Sequence, residues 1–233
     1  MAETRPWALL VGVGDGLSAS IARLLTHEGG HAVALASRHP DRLAGLAAEI
    51  GGVALACDVR DAVQVAALFT ELDAHGRTPD VVVYNPSSRV RGPITDLDPD
   101  AVADALAVTA YGGFLVGQQA ARRMVPRGRG TILFTGASAS VKGYPRSAAF
   151  AMGKFALRGL AQSMARELAP QGIHVAHVVI DGGIAHPSRP VPAGAPDSLL
   201  DPDAIARSYL HLIGQPRSAW SSELELRPWV ETF

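Results

Sequence analysis

The stretch from 7 to 38, WALLVGVGDGLSASIARLLTHEGGHAVALASR, constrains the fold more than any other part of the chain. An apolar run at 8–11 enters a turn that carries Gly12, Gly14 and Gly16. Behind the turn, Leu17, Ile21, Leu24 and Leu25 recur at helical spacing. Gly29 and Gly30 stop that segment, and a second apolar run occupies 32–36. Strand, glycine turn, helix and strand in this order form the βαβ unit that binds a dinucleotide. A backbone without Cβ atoms turns sharply and approaches a pyrophosphate, whose charge then lies at the positive end of the helix.

The rest of the chain repeats the alternation. A helix is expected at 40–50, opened by Pro40 in its first turn. An apolar strand at 53–57 precedes an amphipathic helix at 61–75, with Val65, Leu68 and Leu72 on one side. Val81, Val82 and Val83 form a fourth strand that ends in Tyr84-Asn85-Pro86-Ser87. A helix over 99–124, a strand at 131–135 and a helix at 147–168 follow. A strand at 173–180, a helix at 203–213 and a strand at 220–226 complete the pattern. Strands that are apolar throughout and alternate with helices need a parallel sheet covered on both faces. The expected architecture is a three-layer, doubly wound α/β fold with a mostly parallel seven-stranded sheet, in one dinucleotide-binding domain spanning 1–233. Its crevice lies at the carboxyl ends of the strands. That brings 12–18, 84–87 and 135–140 together, with 181–186 closing over them. Within a substrate loop at about 183–205, the proline-rich 187–196 has Arg189 as its only charge and suggests a modestly apolar pocket.

Charge and cysteine usage narrow the partners. A formal net charge of −1 gives no attraction to nucleic acid or to an anionic membrane. Residues 1–6 lack a hydrophobic signal region, and no unbroken apolar run reaches the roughly 18 residues of a bilayer span. The single Cys57 cannot form an internal disulfide; inside an apolar strand it reads as a buried structural thiol. These features fit the cytoplasm. His27, His31, His39 and His75 stand at element ends and read as solvated, while His174 and His177 point to opposite faces of one strand. No metal site is expected, and neither a nucleophile elbow nor a phosphate-binding lysine loop is present.

Over nearly its whole length the chain resembles the classical short-chain dehydrogenase/reductase family, whose fold is of Rossmann type. Residues 11–18 match the family's Thr-Gly-x-x-x-Gly-x-Gly turn through Gly12 and Gly16, with Ser18 at the third glycine. Asp58 in CDVR matches the acidic residue that contacts the adenine. Asn85 falls in the Asn-Asn-Ala-Gly motif, which here reads Tyr-Asn-Pro-Ser, and Lys154 matches the lysine of Tyr-x-x-x-Lys. The resemblance implies a nicotinamide dinucleotide held by Gly12, Gly14, Asp15, Gly16, Leu17, Ser37, Arg38, Asp58, Val59, Asn85, Lys154, Gly182 and Ile184. In the family a tyrosine moves the proton and a lysine lowers its pKa and binds the ribose. A serine holds the substrate oxygen, and an asparagine anchors a water relay.

This chain departs at three of those four positions. Phe150 stands four residues before Lys154, Ala137 takes the serine position with Ser138 beside it, and Thr109 takes the asparagine position in VTAYGG. A phenyl ring has no proton to move, so the usual carbonyl reduction cannot run on these residues. The substitutes in view are Ser138, which would polarise an oxygen, Tyr144 in the loop over the site, and His186, because an imidazole is a plausible general acid.

Cofactor preference rests on the end of the second strand. NAD enzymes of this shape place an acidic residue there, and this chain has Ser37 followed by Arg38. An arginine pairs with a 2′-phosphate, although Asp15 in the glycine turn opposes one. NADP(H) is favoured and NAD(H) stays possible. Two helices rich in small residues, ALAVTAYGGFLVGQQAA and AAFAMGKFALRGLAQSMA, suit a homodimer or homotetramer, with Trp220 and Trp229 expected at a subunit boundary. The function this supports is an oxidoreductase acting on a small-molecule carbonyl, imine or enone with a non-standard proton donor. The alternatives are a dinucleotide-binding pseudoenzyme or partner subunit, and a non-redox enzyme that uses the same pocket.

Overall fold

The structure, a computed structural model, describes residues 5–231. The reading of the first residues as free of a signal region therefore falls largely outside it. Seven strands carry the fold: β1 (Trp7–Val11), β2 (Ala32–Ser37), β3 (Val53–Ala56), β4 (Pro79–Tyr84), β5 (Gly130–Thr135), β6 (Ile173–Ile180) and β7 (Glu223–Leu226). They lie in the order β3-β2-β1-β4-β5-β6-β7, and every neighbouring pair is parallel. The sheet is thus parallel throughout, because each connection passes through a helical segment on one face or the other.

Period-two alternation divides the apolar side chains between two cores. Along β1, Ala8 and Leu10 face one side while Leu9 and Val11 face the other; along β4, Val81 and Val83 oppose Val82 and Tyr84. The helices α1 (Leu17–His27), α2 (Ala44–Ile50) and α7 (Pro202–Ile213) cover the first face through Ile21, Leu25, Ala47, Ile205 and Leu212. The second is covered by α3 (Ala62–Ala74), α5 (Gly112–Met124) and α6 (Ala148–Leu168) through Phe69, Leu72, Val116 and Leu157. Each of the buried Ile, Leu, Val and Phe side chains among these contributes about 1.5–3 kcal/mol relative to exposure.

Four local expectations change. The helix expected over 99–124 is broken into α4 (Pro99–Leu106), a π turn at Ala107–Tyr111, and α5. Tyr84 causes the break: its hydroxyl donates to Val108 O, and its ring lies against Gly112 and Gly113. The last strand is short because Trp220 is used within the chain. Its indole stacks on His174 with ring centroids 4.9 Å apart, and its Nε1 donates to Gln215 O. His31 is buried rather than solvated, since the backbone after α1 folds back so that His31 N donates to Leu25 O. The segment at 40–50 begins with a 3₁₀ turn, Pro40–Leu43, before α2. The helical stretch Pro99–Arg127 is, by length and composition alone, apolar enough to cross a membrane; here it packs against α3 and α6.

Candidate functional site

The strand order reverses between β1 and β4, and the ligand crevice of a doubly wound sheet opens at that reversal. Gly12 follows β1 with φ +80, and a Cβ there would come within 2.6 Å of Pro86. Only glycine fits. Gly14 faces open space, and Gly16 begins α1 with no side chain capping its first turn, which leaves N–H groups for a ligand. Asn85 pins the turn from β4. Its backbone N–H donates to Val11 O at 3.0 Å, and its side-chain Nδ2 donates to Ser18 Oγ at 2.6 Å. Ser18 Oγ donates in turn to Gly12 O at 3.3 Å.

Two cavities meet at this turn. One, of about 450 Å³, is lined by Gly12, Gly14, Gly16, Leu17, Asn85, Phe150, Lys154, Gly182, Ile184 and His186. The other, of about 680 Å³, is lined by Asp15, Ser37, Arg38, Asp58 and Val59. Gly12, Gly14, Asn85 and Ser87 border both. The result is a trough with a glycine cradle at its middle, a shape that fits an extended dinucleotide. Every cofactor residue expected from the sequence lines one side or the other. Arg42 was not anticipated; the turn opening with Pro40 brings it to the same mouth as Arg38 and His39. Asp58 is already held by Arg60 at 2.6 Å, which keeps its carboxyl below the usual range. The carboxylate of Asp15 is the one opposing charge at that mouth left outside an ion pair among the described residues.

At the other end of the trough, α6 presents Phe150 and, one turn later, Lys154. The lysine is 3% exposed and its Nζ donates to Thr135 O at 2.7 Å. Burial, followed by the nearby Arg89 guanidinium, lowers its pKa to about 7. Arg89 itself lies 4.1 Å from the centroid of the Phe150 ring and was not anticipated. Nothing in the sequence marks it beyond its place four residues after Asn85.

The other expected groups are placed less centrally. Thr109 is 1% exposed in the π turn, where its Oγ1 accepts from Ser88 N at 3.1 Å; it braces the loop after β4 and does not line either cavity. Ala137 lines the cleft, whereas Ser138 and the exposed Tyr144 line an adjoining cavity. The Lys142 ammonium sits 5.8 Å from the Tyr144 ring centroid. His186 lies against Gly16, and its Nδ1 is 2.8 Å from Ser188 Oγ. Cys57 is buried and its thiol is pushed up to about 11, an inert group as expected. Among the described residues no cluster of His, Cys, Asp and Glu is arranged to hold a metal.

Comparison with known proteins agrees with this geometry. The short chain dehydrogenase family matches residues 6–186. The human 17-beta-hydroxysteroid dehydrogenase type 1 is 36% identical over 148 residues, a match spanning 63% of this chain and 44% of that protein. The 3-oxoacyl-[acyl-carrier-protein] reductase MabA of Mycobacterium avium is 31% identical over 76% of this chain and 66% of its own length. Among solved structures, a short-chain dehydrogenase from Rhodopseudomonas palustris superposes with a TM-score of 0.84 at 38% identity, covering 96% of this chain and 99% of that one. A metagenomic short-chain oxidoreductase in complex with NADP gives 0.83 at 30% identity, covering 97% and 98%. This chain belongs to the short-chain dehydrogenase family, whose members bind a nicotinamide dinucleotide.

Proposed function

We propose that the protein is an NADP(H)-dependent oxidoreductase that reduces a small carbonyl, imine or enone, with Lys154 as the proton donor. The observation that carries this reading is the buried ammonium of Lys154 beside Phe150, at the end of a trough whose far mouth holds Arg38 and Arg42. When bound, the nicotinamide supplies the hydride. The chain does the rest. Gly12, Gly14, Gly16 and Leu17 take the pyrophosphate at the start of α1, and Arg38, Arg42 and Ser37 hold the 2′-phosphate against the opposing charge of Asp15. Asp58 and Val59 flank the adenine, while Asn85, Gly182 and Ile184 wall the nicotinamide end. Lys154 Nζ binds the ribose and carries the proton.

An ordinary ammonium, with a pKa near 10.4, is a weak acid at neutral pH. One lowered to about 7 donates readily. Lys154 gives one Nζ proton to the substrate atom left negative by hydride arrival, and the resulting neutral amine is the form that burial favours. Phe150 then needs no hydroxyl. An iminium substrate needs no proton at all. Ser138 and Tyr144 contact the substrate from the adjoining cavity, His186 stands over the glycine turn, and Thr109 positions the loop. Under the alternatives Lys154 has a narrower task. A pseudoenzyme uses it for the ribose alone, and a non-redox enzyme uses it as an acid or base without hydride transfer, so NADPH oxidation separates the oxidoreductase from both.

The chain acts as one domain in this account, with 183–205 as the substrate loop. Its base is clipped by Ala185 N to Leu200 O at 2.8 Å, and its far side is tied by Trp229 Nε1 to Asp197 Oδ2 at 2.9 Å. Exposed Tyr111, Phe114, Met152 and Phe155 on the α5/α6 face support a homodimer or homotetramer. A cytoplasmic setting fits the chain's charge and its single buried thiol.

The test follows NADPH oxidation across a panel of ketones, imines and enones between pH 5.5 and 9. The protonated lysine is the acid, so ketone reduction should fall as pH rises through about 7. Lys154→Met should cost about 10²-fold or more in kcat for ketones. Wild-type kcat in the methionine variant would remove Lys154 from the mechanism.

A further inference from the structure

A cavity of about 690 Å³ adjoins the cleft, and the two share Arg89, Phe150, Gly182 and Arg189. Four arginines line it: Arg89, Arg91, Arg146 and Arg189. Elsewhere some arginines pair with carboxylates, as in Arg23–Glu49, Arg60–Asp58, Arg123–Asp73 and Arg158–Glu223, while others, Arg38, Arg42, Arg77 and Arg166 among them, form no such pair among the described residues. What sets this cavity apart is that four guanidinium side chains line one space. Here, among the described residues, none of the four forms an ion pair. Two carboxylates are nearby. Asp181 is 3% exposed and already engaged by Lys142 at 3.5 Å and Arg227 at 3.4 Å. Glu231 lines the cavity but pairs with none of the four. Arg91 and Arg189 are close enough to Arg89 to lower its pKa along with burial, so the cluster repels itself as it stands. The backbone of Arg146 is held in the left-handed region at φ 59, which side chains with a Cβ seldom adopt.

The geometry points to a substrate that carries an anionic group, a carboxylate or a phosphate, clamped by Arg89, Arg91 and Arg189 while its reducible carbon faces Lys154. This rests on the oxidoreductase reading above and adds the substrate class to it. Guanidinium forks match the planar oxygens of a carboxylate and the face of a phosphate, and a bound anion cancels the repulsion among the three. Arg89 and Lys154 flank one ring, at 4.1 and 6.0 Å from the Phe150 centroid. The anionic group and the reacting carbon are therefore a few bonds apart, as in an oxo acid or a phosphorylated ketone. Phe150 gains a purpose as the platform on which Arg89 stacks. The expected apolar pocket gives way to a basic one, because the arginines come from loops outside the proline-rich lid as well as from Arg189 within it.

Isothermal titration of the full chain, alone and preloaded with NADPH, tests this with oxalate, inorganic phosphate and neutral oxamide as probes. NADPH affinity is measured on the same samples, and preloading occupies Arg38 and Arg42 so that phosphate reports the second site. Oxalate or phosphate should bind the wild type below millimolar concentration, with oxamide at least about tenfold weaker. Arg89→Leu, Arg91→Leu and Arg189→Leu, each checked for a wild-type melting transition, should each weaken the tighter anion by about tenfold. Tighter oxalate assigns a carboxylate substrate; tighter phosphate assigns a phosphorylated one. The inference is overturned if neither anion binds the wild type, if oxamide binds as well, or if all three variants keep wild-type affinity. NADPH binding without anion binding removes the anion clamp alone. Arginine-dependent anion binding without NADPH binding leaves the clamp standing and removes the oxidoreductase reading.

Discussion

At Lys154 a buried ammonium gives the folded chain a pH signature. Its pKa falls from 10.5 to about 7 on folding, so between those values the unfolded chain holds a proton that the folded chain has released. Stability from this group therefore rises with pH across that window and is flat below it. In urea denaturation from pH 6.5 to 9.5, wild type should gain on Lys154→Met by up to about 1.4 kcal/mol per pH unit. A difference that does not change with pH would contradict the lowered pKa. Phe150→Tyr introduces a phenol one turn before the lysine and should raise kcat for ketones by about tenfold; unchanged kcat would mean that the ring edge does not face the reacting carbon. At this scale the glycines, Asn85 and Lys154 were legible because each is tied to a fixed backbone offset. Arg42 and Arg89 were not, since a guanidinium on a long stem is placed by the loop that carries it. Ser138, one residue from the expected position, is directed into the neighbouring cavity by the turn Ser138–Ser140.

The glycine turn separates fold from binding within one element. Gly12→Ala meets both a positive φ and Pro86 at 2.6 Å, and should cost about 1–3 kcal/mol of stability, read as a lower melting temperature. Gly14→Ala meets nothing within 4 Å, so the melt should stay within about 0.5 kcal/mol of wild type. Its methyl group nevertheless enters the trough, and NADPH affinity should drop by about tenfold or more. Equal NADPH affinity in Gly14→Ala would show that the pyrophosphate does not lie there. Apolar runs located most strands to within a residue or two, since a doubly covered strand has no polar face to blur its ends. The break at Ala107–Tyr111 was invisible because its cause, Tyr84, belongs to a strand 24 residues earlier. His31 is buried against expectation for a similar reason, as the chain after α1 returns beneath α7, where Gly29 meets Leu210.

Across the whole molecule, the parallel sheet and its reversal between β1 and β4 place three loops around one trough, and this much followed from the alternation of apolar runs. The assembly was legible only as small-residue surface. The proposed contact surface includes the stacked, exposed Tyr111 and Phe114 and the exposed Met152 and Phe155 of α6. Phe114→Glu with Phe155→Glu should convert the oligomer to monomer in size-exclusion chromatography with light scattering, while an unchanged mass would place the interface elsewhere. The most direct test of the account is a fluorescence titration of the purified chain with NADPH and, in parallel, NADH. The account predicts NADPH tighter by about tenfold or more, with the difference erased in Arg38→Ala/Arg42→Ala, since each charged hydrogen bond is worth about 1.5–3 kcal/mol. Tighter NADH, or no binding of either at millimolar concentration, would contradict it.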